Sequence, residues 1–204
     1  MEVDLHDHVS GRSGRSVELI ASALAAIGGD PPGRARLALV SSFAQGESQW
    51  VWEVILRLVE AGVPPAAIDR EVAVAGAPRV RFDLRVYETV VEFKSAFTHF
   101  FLSNQEKGST DWFGHDWEKL QATNGHGVFV VTLATAAGFT HRRPKIARGA
   151  STDWRSDRSR GLAAYTEFLG RQCGGVVTHV EVGFGEVPGS EDRVMLDALL
   201  VPID

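Results

Sequence analysis

Asp83, Glu92 and Lys94 are the residues of this chain whose types and spacing could do chemistry. They fall within residues 80–95, read VRFDLRVYETVVEFKS. Two carboxylates a few ångströms apart repel each other unless a cation sits between them. Oxygen ligands of this kind select hard cations such as Mg²⁺ or Mn²⁺. Such an ion acidifies a bound water and neutralises charge building on a phosphate. A lysine beside it can hold that water, or the phosphate itself, as a point charge. The set therefore suits metal-dependent hydrolysis of a phosphodiester. Lys94 is one of only four lysines, against seventeen arginines, so most positive charge in the chain comes from Arg. The alternative is a surface hairpin with an ordinary cross-strand ion pair.

The elements that must position these groups are two strands. Val80, Phe82, Leu84 and Val86 alternate with Arg81, Asp83, Arg85 and Tyr87, and a period of two predicts a half-buried strand. Residues 89–94, TVVEFK, are β-branched and aromatic and predict its partner. A short turn near Glu88 joins them. Glu92 and Lys94 then share one face and Phe93 takes the other. Pairing around residues 87–90 brings Asp83 level with the Glu92–Lys94 end.

With Asp83 followed across a hairpin by Glu92-Phe93-Lys94, the segment resembles the PD-(D/E)XK nuclease superfamily. Phe82 stands where the family's name has Pro. The order of expected elements matches as well. A helix is expected over 47–61, a strand over 70–75, then the hairpin, a helix over 110–123, and a strand in the apolar run 128–133. The resemblance covers roughly residues 45–135. It implies an α/β fold with a restriction-endonuclease-like αβββαβ core, a mixed central sheet flanked by helices. It also implies a metal-dependent nuclease, acting on DNA with Mg²⁺ or Mn²⁺, with Asp83 and Glu92 on the metal and Lys94 on the water. A catalytically inactive nucleic-acid- or protein-binding module on the same fold is the alternative.

Members of that family often place an acid from the first helix at the metal, and here Glu47 and Glu53 are the candidates. At ~100° per residue, Val51, Val54, Ile55, Leu58 and Val59 form one apolar face. Glu47 falls on that face and Glu53 opposite it, which selects Glu47 as a catalytic and metal-binding residue and leaves Glu53 to solvent. The competing role for Glu47 is a helix-start acid favoured by the dipole. On the second helix Phe113, Trp117, Leu120 and Gln121 share a stripe, and the resemblance suggests that Gln121 touches substrate or the attacking water; Gln121 at the stripe's edge is the plainer alternative, and Lys119 is expected in solvent. Glu71 is a weaker acid candidate.

Net charge is −5, unlike a typical nucleic-acid binder, but the charge is unevenly spread. Residues 141–160 carry seven basic and two acidic side chains, so the remaining chain is strongly acidic. Gly and Ser predict a flexible basic loop there, in which Arg142, Arg143, Lys145, Arg148, Arg155 and Arg158 could hold phosphates and Trp154 could stack on a base. The alternative is a solvated loop balancing the acidic body.

At 204 residues the chain suggests one domain (43–204) behind an N-terminal appendage (1–42) with a small helix over 17–27 and a short strand over 36–40. A helix over 162–172 and a hairpin over 176–187 and 193–201 close the chain. The single cysteine, Cys173, excludes an internal disulfide framework. No run reaches the ~18 apolar residues of a membrane span, and the polar start is not a signal peptide, so a cytoplasmic location is expected. Cutting both strands of a duplex would favour a homodimer; RNA as the nucleic acid stays open.

Overall fold

The computed structural model describes residues 6–44, 46–74, 77–103, 109–123, 127–139 and 144–203. Three helices come first: α1 (His6–Gly28), α2 (Pro31–Phe43) and α3 (Glu47–Glu60). Three strands follow, β1 (Ile68–Val74), β2 (Ala77–Val86) and β3 (Thr89–Phe97). A short helix α4 (Thr98–Ser103) and α5 (Ser109–Gln121) lead to β4 (Gly127–Ala137). The chain closes with α6 (Trp154–Cys173), β5 (Thr178–Glu186) and β6 (Arg193–Ile203).

The strands form one mixed six-stranded sheet in the order β1-β2-β3-β4-β6-β5. Strands β1, β2 and β3 make an antiparallel meander. Strand β4 is parallel to β3, with α5 in the crossover that such a pair requires. On its other side β4 pairs antiparallel with β6, and β6 with β5. All eleven residues of β4 are buried, as a strand covered on both faces demands.

Alternation along the strands separates two cores. Val91, Phe93, Val128, Val130, Leu196 and Leu200 face α1, α2 and α3. Val90, Ala96, Phe129, Val131, Leu199 and Val201 face Phe113, Trp117 and Leu120 of α5 and Tyr165 and Phe168 of α6.

Two expectations change. Within the expected appendage, Ile20, Leu24 and Ile27 of α1 and Leu37 and Ala38 of α2 belong to the sheet's own core. The expected strand over 36–40 is helical because Asp30 accepts a hydrogen bond from the Gly33 N–H at 3.0 Å and Pro31 occupies the first turn. That is a helix start, where prolines are at home, rather than a break. The expected basic loop is also partly helical. Asp153 accepts from the Ser156 N–H at 3.2 Å and caps α6, so Trp154, Arg155, Arg158 and Arg160 lie on a helix.

Candidate functional site

The site begins where β2 and β3 part. A two-residue turn at Tyr87 and Glu88 closes the hairpin, with Tyr87 in the left-handed region at φ 55°. The ladder then runs Val86–Thr89, Arg85–Val90 and Leu84–Val91, and stops. Beyond it, β3 keeps its parallel partner on one side only. Strand β2 also changes faces here. Leu84 and Val86 pack toward α1–α3, whereas Phe82 packs toward α5, so the alternation slips at Asp83. Directly alongside, Glu71 of β1 has φ 52°, a left-handed conformation unusual for a non-glycine residue.

Backbone N–H groups along the freed edge of β3 need other acceptors. The Phe93 N–H donates to Asp83 Oδ2 at 2.7 Å, and the Ser95 N–H donates to Glu47 Oε1 at 3.1 Å. Two carboxylates thus stand in for the missing strand. Glu47 reaches this edge from the first turn of α3. The geometry brings Glu47, not Glu53, to the edge of β3 that also carries Asp83.

Glu92 and Lys94 project from β3 toward α5, and two residues of that helix meet them. Lys94 Nζ pairs with Asp116 Oδ2 at 2.6 Å. Lys119 Nζ lies 2.6 Å from Glu92 Oε2 and 3.5 Å from Asp116 Oδ1, and donates to the Arg81 carbonyl at 2.7 Å. At 2.6 Å the Lys119 ammonium is the ion-pair partner of the buried Glu92 Oε2. The cluster therefore joins four carboxyls (Glu47, Asp83, Glu92, Asp116) to two ammonium groups (Lys94, Lys119).

Burial and like charge set the protonation of this cluster. Desolvation, and next the nearby Asp83, push the Glu92 carboxyl up to about 8. Desolvation raises Asp83 and Glu47 too, against the lowering pull of their backbone N–H donors and of Lys94. Asp116 moves the other way: its desolvation is outweighed by Lys94 and Lys119. Lys94 is likewise raised in spite of its burial, because Asp116 and Glu47 hold its proton. An excess of two carboxyls over ammoniums, with one carboxyl pushed toward neutrality, is a site short of positive charge.

The other predicted site residues are placed elsewhere. Gln121 is the exposed last residue of α5, and the helix sends Asp116 and Lys119 to the site instead. Lys119, expected in solvent, has a side chain only 9% exposed. Glu53, also expected in solvent, is buried: Arg36 of α2 donates to both of its carboxylate oxygens and Gln49 Nε2 to one, at 2.6–2.9 Å. Sequence periodicity on α3 could not register α2 covering that side. Glu71 is exposed and faces Arg70 and Arg81.

Arg142 and Arg143 lie outside the described residues. Arg158 donates to both oxygens of the fully buried Asp197 on β6, and to Glu181 on β5 at 2.6 Å, a structural tie two strands away from β3. Arg155 lies over the Trp154 ring at 4.7 Å, and Trp154 packs edge-on against Phe184. Lys145 sits 5.9 Å from the Phe97 ring, at the end of β3. Arg148 is an exposed residue following the 3₁₀ turn Lys145–Ala147.

Asp116 is the residue that sequence reasoning missed. The signal was present, since 113, 116, 117 and 120 is an i, i+3, i+4, i+7 stripe with Asp116 as its polar member. An open groove of about 490 Å³ adjoins the cluster, lined by Phe82, Arg85, Tyr87, Val90, Lys119 and Thr123 among others. Among the described residues no helix is long and apolar enough to cross a membrane. No protein-family model, curated protein or solved structure matches the chain.

Proposed function

We propose that this chain is a divalent-cation-dependent nuclease of the PD-(D/E)XK type, hydrolysing phosphodiester bonds in DNA. One observation carries the reading. Asp83, Glu92 and Lys94 meet where two strands part, with Glu47 on the same edge, and Glu92 Oε2 is buried there against the Lys119 ammonium. Neighbouring carboxylates that outnumber the ammoniums beside them make a position that a hard cation fits. The helix–three strands–helix–strand order of α3, β1–β3, α5 and β4 supports it as well.

Asp83 and Glu92 would hold Mg²⁺ or Mn²⁺, with Glu47 alongside. Among the described residues no three acidic or histidine side chains form a closed cage; Mg²⁺ commonly takes one or two carboxylates and completes its shell with water and substrate phosphate. When bound, the ion supplies charge neutralisation and an acidified water. The chain's own groups do the rest. Lys94 Nζ, held by Asp116, presents a fixed ammonium that can orient the attacking water or meet charge developing on the phosphate. Asp83 and Glu47 fix their own carboxylates through the β3 amides, so little reorganisation is needed during the reaction. The exposed Arg155 and Arg148 extend positive charge along the surface for phosphate contact.

A catalytically silent binding module is the second reading. It is favoured by the pairing of both lysines with carboxylates in the cluster. Incubation of linear and circular DNA with the protein in Mg²⁺, Mn²⁺ or EDTA separates the two. Cleavage that EDTA abolishes supports the nuclease; DNA retention on a gel without cleavage in any metal supports the module.

A further inference from the structure

Lys119 occupies a cage of oxygens. Its ammonium is met by the Arg81 carbonyl of β2 at 2.7 Å, Glu92 Oε2 of β3 at 2.6 Å and Asp116 Oδ1 of its own helix at 3.5 Å. These oxygens come from three elements and converge on one cation in the gap between the parted strands. Carbonyl and carboxylate oxygens around a small positive charge are the donor set of a hard divalent ion. Lys119 also lines the open groove beside the site, so its flexible stem has somewhere to go.

We propose that Lys119 is a built-in, displaceable counter-cation: it holds a divalent-cation position at Glu92 and Asp116, and leaves for the groove when the ion enters. This rests on the nuclease reading. The cluster is then kept compact without metal, because a removable ammonium stands among carboxyls that would otherwise repel. The same ammonium competes with the ion, so the site loads only at cation levels sufficient to displace it. Once in the groove beside Arg85, Lys119 adds positive charge where a phosphate backbone would lie.

Calorimetric titration of the full chain with Mn²⁺ tests the competition, comparing wild type with Lys119→Gln, Lys119→Arg and Glu92→Gln. Lys119→Gln should bind Mn²⁺ about tenfold more tightly, since a like charge at ion-pair distance has been removed, and Lys119→Arg no more tightly than wild type. Equal or weaker binding by Lys119→Gln overturns the proposal; if wild type still binds and Glu92→Gln does not, the nuclease reading stands. No Mn²⁺ binding by wild type or by Lys119→Gln overturns both. A second measurement needs no variant. With four lysines in the chain, amine acylation followed by peptide mapping resolves each one. Lys119 should be protected without cation and become reactive with Mg²⁺; reactivity that Mg²⁺ leaves unchanged overturns the proposal.

Discussion

Glu92→Gln should stabilise the cation-free protein at alkaline pH and flatten its pH dependence. The Glu92 carboxyl is 5% exposed, lies beside Asp83 and Asp116, and is lifted from 4.5 to about 8. Between those values the folded state keeps a proton that the unfolded chain has lost. Stability from this group is therefore fully present below about 4.5, falls as pH rises, and is lost once pH passes about 8. At ~1.4 kcal/mol per pH unit the ceiling on the loss is about 5 kcal/mol. Lys119 and Asp116 re-partner as Glu92 ionises, which leaves an observable loss of about 2 kcal/mol. Glutamine keeps the shape and cannot ionise, so its variant should lack this loss. Urea denaturation from pH 5 to pH 9 in EDTA measures it: wild type should weaken across the range relative to Glu92→Gln, and saturating Mg²⁺ should restore wild type at pH 8.5. Parallel stability curves for the two proteins would refute the reasoning, because Glu92 would then be an ordinary solvated acid.

Other perturbations reach the fold and the charged surface. Arg158→Ala leaves the carboxylate of Asp197, which is 0% exposed, to His179 Nε2 at 2.8 Å without its guanidinium, and should cost about 3 kcal/mol in denaturant midpoint analysis. Arg155→Ala, by contrast, should leave stability near wild type and reduce the salt slope of DNA binding by about 1, as loss of one phosphate contact does. Gly185→Ala sets a Cβ 2.2 Å from the Arg34 carbonyl and should destabilise by about 1–3 kcal/mol in thermal or urea melts, because α2 is packed directly on β5. Wild-type stability in that variant would mean that the N-terminal helices are not part of the sheet's core.

Much of the site was legible because it is local. The alternation of residues 80–94 places Asp83, Glu92 and Lys94 on a single hairpin, and one residue of register separates no alternatives once the turn is confined to Tyr87 and Glu88. Helical periodicity put Glu47, one of the two acids to which the resemblance pointed, on the apolar face of α3. Legibility failed where the answer depended on what another element covers. Glu53 looked solvent-facing until α2 supplied Arg36. Arg158 looked available for phosphate until Asp197, 39 residues later, claimed it. Lys119 and Asp116 reach the cluster from α5, which packs on the face of β3 that Glu92 and Lys94 share. The helix over 31–43 was hidden by its prolines, which mark both breaks and first turns.

The most direct test of the central claim is single-turnover cleavage of an end-labelled DNA duplex in Mn²⁺, with wild type beside Asp83→Asn and Lys94→Ala. On the proposed roles of Asp83 at the metal and Lys94 at the transition state, either change should slow cleavage by about 100-fold or more. Lys94→Ala should still bind Mn²⁺, and EDTA should silence every protein. Cleavage by both variants at the wild-type rate would contradict the account, since the parted strands would then not be where the phosphodiester is cut.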